Sequence, residues 1–265
     1  MKPLKDEIVS LNNAFKLKFK KLYLGISNVR CKSCYPYPRL IYSLGNAGDT
    51  FFSDGSSETV FERGVWLLIP PYLEIQHHLR NSHHLAIHFT CSLLDGMELF
   101  SDIKRIEHGY APELLPIAES ISPENHIHFL NGVNLILRHA LYQVMQKHDW
   151  DLERKVAGMN IYYPLTEYLH RKLDPHITVG EMAKVMNSGE QSFARKFSAV
   201  IGVTPHKFNE NIIIDHAVEL LENSDLSIKE IAAALHFSNE YYFSRFFKRH
   251  MKIAPGSFRN KPDKF

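Results

Sequence analysis

The sequence has few of the features that mark secreted, membrane-bound or strongly charged proteins. It contains three cysteines, and its first ten residues, MKPLKDEIVS, lack the apolar run of a signal peptide, so we expect reduced thiols and a cytoplasmic protein. The stretch nearest to membrane-spanning length, VWLLIPPYL, is interrupted by two prolines, which argues against a membrane protein. A net charge of +2 indicates no particular partner, so any basic surface must be local.

A strand-like pattern occupies the region between about residues 22 and 90. Short runs rich in β-branched and aromatic residues, such as KLYLGI, RLIYSLG and HLAIHF, are separated by Gly, Pro, Asn and Asp. This spacing is typical of a small antiparallel barrel or sandwich. Asp54-Gly55 fits a tight turn between two of the runs.

The pattern then changes to the spacing of helices. Apolar residues advance by three and four along one stripe of a long helix, namely Ile127, Leu130, Val133, Leu137, Leu141 and Val144. A polar break follows at 147–151, and later segments all have helical spacing. The sequence therefore predicts an α+β protein of two domains, residues 1–150 and 151–265.

The second domain contains an internal repeat. The segment ITVGEMAKVMNSGEQSFARKFSAVIGVTPHKF at 177–208 aligns with LSIKEIAAALHFSNEYYFSRFFKRHMKIAPGSF at 226–258. With one residue inserted in the second copy, Arg195 aligns with Arg245. Two copies are too few for a solenoid, so the repeat indicates a duplicated supersecondary unit.

Each copy carries the start signals of two helices. Thr178 and Ser227 are both followed three residues later by Glu, which fits a capping box. A short polar break precedes a second helix in each copy, with Ser238 as the expected cap in the second, and Thr204-Pro205 starts a helix between the copies. The pattern predicts two helix-turn-helix units, at about 177–201 and 226–250, joined by a helix.

The second helix of each copy has an apolar and a polar face. The predicted buried stripes are Phe193, Phe197 and Val200 in the first copy and Phe243, Phe246, Phe247 and His250 in the second. A polar face in the major groove can read guanine with Arg and adenine with Gln or Asn, while Lys binds phosphate. Exposed charge on one helix is usually only solvated, but equivalent Arg positions in two copies favour DNA. The candidate DNA-binding residues are Glu190, Gln191, Arg195, Ser198, Asn239, Glu240, Tyr241, Ser244, Arg245, Lys248 and Arg249.

The stretch IAAALHFSNEYYFSRFFKRHMKIAPGSFR closely resembles the C-terminal signature of the AraC/XylS family of bacterial transcription regulators, over about residues 162–259. The resemblance implies two helix-turn-helix units on successive major-groove segments of double-stranded DNA. It also implies an N-terminal sensing and dimerisation domain, often a cupin-like jelly roll. His236 and Lys252 stand where the family usually has Gly, which is costly if the backbone keeps a positive φ there.

The sequence of the N-terminal domain gives weaker evidence for a ligand than the C-terminal domain gives for DNA. Tyr42, Trp66 and His88 are candidates to line a cavity for an effector, with a sugar-like molecule favoured, although core packing explains them equally well. Histidines 77, 78, 83, 84 and 88 are read as turn or surface residues, and Cys31-x-x-Cys34 lacks a second pair, so neither a metal nor a cofactor is predicted.

The helix at 127–144 is interpreted as the interface of a homodimer, with packing against its own barrel as the alternative. The favoured function is a sequence-specific transcription regulator, for which activation and repression both stay open. A regulator controlled by a protein partner is an alternative. A cupin enzyme is another, but no catalytic set can be assembled, so we expect no enzyme.

Overall fold

The computed structural model describes residues 16–45, 48–94, 97–148 and 152–260. They divide into two compact units: a sheet unit, with residues 18–90 and 103–148, and a helical unit, with residues 16–17, 91–102 and 152–260. The domain boundary near residue 150 lies outside the described residues and stays a prediction.

One curled antiparallel sheet forms the first unit and extends into residues 91–98. Its strands are β1 (Lys16–Ser33), β2 (Arg39–Gly45), β3 (Phe51–Ser53), β4 (Glu58–Val60), β5 (Val65–Ile69), β6 (Ile75–Leu94), β7 (Met97–Glu98) and β8 (Glu107–Tyr110). Their order is β4-β3-β6-β2-β5-β8, and β1 and β7 also pair with β6. The long β6 pairs with β3 at 76–78 and with β2 at 83–88, so its twist carries successive neighbours around and curls the sheet.

The predicted turn at Asp54-Gly55 is confirmed. It joins β3 to β4, and Gly55 has a φ of 86°, a conformation that glycine adopts without strain. The Asp54 carboxylate accepts the backbone N–H groups of Ser56 and Ser57 and that of Ile106, the residue before β8. Burial alone would raise the pKa of Asp54, but these hydrogen bonds lower it to about 2.

Side chains on β2 alternate between two faces of the sheet. Ile41 pairs with Leu67 and Ala86, and all three belong to the buried apolar cluster of the unit, so we call this side the core face. Tyr42 pairs with Trp66 on the opposite side. We call this side the helix face because two helices of the same unit contact the sheet, and Lys147 of one of them lies 5.7 Å from the centre of the Trp66 ring.

These two helices are α1 (Leu115–Ser120) and α2 (His126–Lys147). Most of the predicted α2 stripe is buried: Val133, Leu137, Leu141 and Val144 are at most 4% exposed. Ile127 is 77% exposed and Leu130 41% exposed. Four of the six residues of the stripe are therefore buried, as the alternative of packing within the chain expects, and the homodimer interface stays a prediction.

The second unit contains helices α3 (Leu152–Lys172), α4 (Val179–Val185), α5 (Glu190–Ile201), α6 (Pro205–Asn223), α7 (Ile228–Ala234), α8 (Glu240–Met251) and α9 (Pro255–Arg259). Both predicted capping boxes are present, at Thr178 with Glu181 and at Ser227 with Glu230. The repeat thus gives two short helix pairs, α4–α5 and α7–α8, and α6 runs between them. Within the described ranges, no helix is long and apolar enough to cross a membrane.

Candidate nucleic-acid interface

The turn of the first helix pair follows a Schellman motif. At the end of α4 the N–H of Ser188 donates to the carbonyl of Ala183 at 2.9 Å, and the N–H of Asn187 donates to that of Lys184 at 3.0 Å. Asn187 holds a left-handed φ of 48°, a conformation that Asn tolerates better than most residues.

The turn of the second pair has the same geometry with different residues. At the end of α7 the N–H of Phe237 donates to Ala232 at 2.9 Å, and the N–H of His236 donates to Ala233 at 3.1 Å. His236 has a φ of 57°. The backbone therefore keeps a positive φ at this position although the residue is not Gly, and the two pairs share one backbone design despite their different turn sequences.

The inner face of α8 is the predicted apolar stripe. Phe243 and Phe247 are fully buried, and His250 is 8% exposed. The ring of Phe243 packs at 5.4 Å from that of Phe237, which follows the turn, and Phe247 packs at 5.5 Å from Phe258 of α9. These contacts fix the rotation of α8 about its own axis, because turning the helix would expose the phenylalanines.

The outer face of α8 presents the other candidates to solvent. Glu240, Arg245 and Lys248 are exposed, Ser244 is half-buried, and Tyr241 is 63% exposed. The Arg245 guanidinium lies 5.7 Å from the centre of the Tyr241 ring, within cation–π range. An exposed aromatic ring beside an exposed guanidinium leaves both side chains accessible to a partner.

The outer face of α5 repeats this arrangement. Glu190, Gln191 and Arg195 are exposed and Ser198 is half-buried. Phe193 and Phe197 are buried as predicted, whereas Val200 is half-buried and the neighbouring Ile201 is buried in its place.

Two of the candidates also make contacts within the protein. The Asn239 side chain accepts the N–H groups of Tyr241 and Tyr242 at 3.0 and 3.1 Å, and so caps α8. The prediction of Ser238 as the cap is wrong by one residue. The Arg249 guanidinium donates to Glu210 of α6 at 2.5 Å, so it already has a carboxylate partner.

Glu210 forms a polar link between α6 and α8. It is 9% exposed, and its second oxygen lies 3.2 Å from Nε2 of His250. Lys207, one turn earlier on α6, lies 3.8 Å away. Burial lowers the pKa of His250. Together with the packed phenylalanines, this cluster holds α8 in one orientation relative to α6.

The three candidate effector residues do not share one surface. Tyr42 and Trp66 are fully buried on the helix face, and the Tyr42 hydroxyl donates to the carbonyl of Ala111 at 2.8 Å. Burial raises the pKa of Tyr42 to about 12. His88 pairs with Arg39 and lies on the core face. Because strand side chains alternate, His88 cannot line a cavity together with the other two, and the predicted joint site is corrected.

The histidines of β6 also depart from the prediction. His77 and His84 are fully buried and His88 is 4% exposed, so their interpretation as turn or surface residues is wrong. Burial lowers the pKa of His84 to about 4. Sγ of Cys31 lies 3.3 Å from Nε2 of His77. Among the residues that the structure describes, no group of three or more His, Cys, Asp or Glu side chains is placed to hold a metal ion.

Comparison with known proteins points to regulators of transcription. Residues 182–261 match a family model described as a helix-turn-helix domain. The MmsAB operon regulatory protein of Pseudomonas aeruginosa is 29% identical over 104 residues, which is 39% of this chain and 32% of that protein. The lactose operon transcription activator of Staphylococcus xylosus is 22% identical over 176 residues, 64% of this chain and 61% of that protein. The chain thus spans about a third of the first relative's length and less than two thirds of the second's.

A solved structure resembles the fold over most of the chain. Wild-type ToxT from Vibrio cholerae, bound to an unsaturated fatty acid, superposes with a TM-score of 0.52 at 13% identity, covering 92% of this chain and 94% of ToxT. This likeness supports a two-domain fold with a curled sheet and a helical part. Residues 182–261 are therefore similar to a helix-turn-helix domain, and the relatives that resemble this part of the chain are named as regulators of transcription.

Proposed function

We propose that this chain is a sequence-specific DNA-binding transcription regulator. In this proposal residues 151–265 form the DNA-binding domain, and α4–α5 and α7–α8 are two helix-turn-helix units. The observation that carries it is the repeated design of the pairs: two Schellman turns, two apolar inner faces, and outer faces with Arg195 and Arg245 at equivalent positions.

The outer faces supply both kinds of contact that DNA recognition needs. Arg195 and Arg245 offer the planar donor fork that fits the O6 and N7 atoms of guanine, and Gln191 fits adenine. Lys248, one turn after Ser244 on α8, suits a phosphate. Arg249 contributes mainly by holding α8 against Glu210, because its guanidinium already pairs with a carboxylate.

Substitution of Arg245 tests the assignment of base contacts. Binding sites are first selected from random duplex DNA with the full-length chain, and affinities are then measured by gel shift. Arg245→Ala is expected to weaken binding to the selected site by about 1–3 kcal/mol and to relax the preference at one base pair. Arg171→Ala, which removes an exposed Arg from α3, is the matched control and should change neither. Unchanged affinity and specificity in Arg245→Ala would exclude this residue as a base contact.

Substitution of Lys248 tests the phosphate contact independently. Lys248→Ala should lower affinity for all sequences alike and reduce the slope of log affinity against log salt by about one contact. Lys172→Ala, an exposed Lys at the end of α3, should leave the slope unaltered. Equal slopes for Lys248→Ala and wild type would rule out the contact.

For residues 1–150 we propose a cupin-like domain that senses a small molecule. Two comparisons support it: ToxT carries a bound fatty acid, and a sugar operon is controlled by the Staphylococcus xylosus relative, which is consistent with the sugar-like effector favoured by the sequence. Control by a protein partner is the competing proposal. Added ligand raises the melting temperature only if it binds the folded chain more tightly than the unfolded one, so a panel of small molecules separates the two.

We also propose a homodimer through α2. The support is the part of the helix that stays outside its own unit: Ile127 is 77% exposed, Leu135 49% and Tyr142 64%. These residues lie within about 80° of one another around the helix axis and form one apolar strip.

A further inference from the structure

The core face of the sheet unit contains a buried charge. Arg39, at the start of β2, has no exposed surface. One of its nitrogens, Nη1, donates to the hydroxyl of Ser33 at 2.8 Å. Nε and Nη2 make no hydrogen bond to any residue that the structure describes. Two of the donor groups of the guanidinium fork are therefore buried without an acceptor from the described chain.

The surroundings of Arg39 are aromatic. Its guanidinium lies 4.7 Å from the centre of the Tyr35 ring. The Tyr35 and Tyr37 rings are 5.5 Å apart, and their centres lie 5.2 and 5.7 Å from that of His88. Tyr35, Tyr37 and His88 are all at least nine-tenths buried. These three rings and Arg39 form a small cluster at the start of β2, which we call the Arg39 cluster.

No carboxylate among the residues that the structure describes balances the charge of Arg39. The groups whose charge acts on the guanidinium are phenols and thiols: Tyr35, Cys34, Tyr37 and Cys31. Burial, then the charge of Arg39, lowers the pKa of His88 well below its ordinary range, so the imidazole stays neutral and adds no second positive charge. A neutral imidazole has one N–H donor and one acceptor.

Such an arrangement is costly unless an anion completes it. A buried ion without a counter-charge destabilises a folded protein, and buried charges in proteins are normally paired. The two donors left over on Arg39 are neighbouring nitrogens of a planar fork, and this geometry matches the two oxygens of a carboxylate. The rings around it suit the apolar or ring-shaped body of a small molecule.

We infer that the Arg39 cluster binds the carboxylate of a small-molecule ligand, which pairs with Nε and Nη2 of Arg39. The inference rests on the proposed sensing role of residues 1–150 and specifies its ligand class as a carboxylic acid rather than a neutral sugar. Three sources share this chemistry, namely an aromatic acid, a fatty acid and a sugar acid.

The experiment compares carboxylates with neutral molecules of the same shape. The melting temperature of the purified full-length chain is measured with benzoate against benzamide, butyrate against butyramide, octanoate against octanamide, and glucuronate against glucose. At least one acid is expected to raise it by roughly 5 °C at about a hundred times its Kd, with no shift from its neutral counterpart. The acid that acts identifies the source. A shift by glucose alone, or by none of the acids, overturns the inference.

Replacing Arg39 separates ligand binding from packing. Arg39→Met removes the charge and keeps much of the volume, so the ligand-free protein should melt at the same or a higher temperature, because removing an unpaired buried charge is favourable. The shift caused by the acid should disappear, with Kd at least about tenfold weaker. Arg39→Lys keeps the charge without the fork and should retain a smaller shift, which covers the case in which Arg39→Met does not fold.

The control is Arg80→Met, which removes an Arg whose side chain is 63% exposed on β6 and should leave the shift intact. If Arg39→Met responds to the acid as wild type does, the site lies elsewhere. Gel-shift binding to the selected DNA is measured in parallel. In the wild-type chain, no response to any acid together with intact DNA binding would overturn this inference alone, whereas absence of DNA binding with an intact acid response would overturn the proposed function.

Discussion

The residues that follow α7 and α8 in a left-handed conformation should make the helical unit less stable than Gly would at the same positions. His236 and Lys252 have φ values of 57° and 59°, and the position equivalent to Lys252 in the first copy is Gly202, with a φ of 86°. An L-residue costs about 1–2 kcal/mol in this conformation, and Gly avoids the cost but loses about 0.5–1 kcal/mol more chain entropy on folding. His236→Gly and Lys252→Gly should therefore each stabilise the folded chain by about 0.5–1 kcal/mol.

Guanidinium denaturation followed by far-UV circular dichroism measures the effect, because the helices dominate that signal. Each Gly variant should raise the midpoint concentration without changing the slope of the free energy of unfolding with denaturant. The matched control is Ala233→Gly, an exposed position inside α7, three residues before His236, that should lose about 1 kcal/mol because the φ there is helical. If His236→Gly lowers the midpoint as Ala233→Gly does, positive φ does not strain this turn and the reasoning is refuted.

Three further predictions concern the sheet unit. Gly109→Ala should destabilise the chain by about 1–3 kcal/mol, seen as a lower midpoint of tryptophan fluorescence, because an added Cβ would overlap the buried Trp66 ring. Asp54→Ala should cost about 1–2 kcal/mol at neutral pH. Since the folded pKa of Asp54 is depressed to about 2, this contribution is present above its unfolded pKa of about 4 and is lost as the pH falls through 2; a difference from wild type that persists below pH 2 would contradict it. Tyr142→Asp should shift the proposed dimer to monomer in sedimentation velocity with unchanged circular dichroism, and a persisting dimer would exclude this face.

The helices of the helical unit could be predicted from the sequence because the sequence signals for helices are local. Capping boxes, the Thr204-Pro205 start and the 3.6-residue period each act within one or two turns of chain, and the repeat shows the capping box twice. The cap was predicted at Ser238 because Ser and Asn are both effective caps. Which of them caps α8 depends on whether the helix begins at residue 239 or at residue 240.

The sheet unit was less predictable because faces of strands depend on long-range register. The buried residues of β6 change from odd positions at Ile75 and His77 to even positions at His84 and His88, and Asn81, with a φ of 45°, lies between them. One irregular residue thus reverses which histidines point inward. The sequence pattern carries no sign of it, so His88 was grouped with Tyr42 and Trp66 although it lies on the other face.

Arg39 was missed for a different reason. A single Arg at the start of a strand is ordinary in a sequence, and its meaning depends on which groups surround it. The signal that could have found it is the dense aromatic run Tyr35-Pro36-Tyr37-Pro38 directly before it, which provides ring surface beside a charged residue.

The burial of α6 has a consequence for how the helical unit can be divided. Buried residues face almost every direction around this helix, from Pro205 to Leu221, and it contacts α3, α4 and α5 as well as α7, α8 and α9. Neither helix pair can be cut away without uncovering one side of α6. A gene fragment that encodes only one pair should therefore yield an insoluble or unfolded product. The two copies of the repeat must be kept together in any truncated or engineered version of the helical unit.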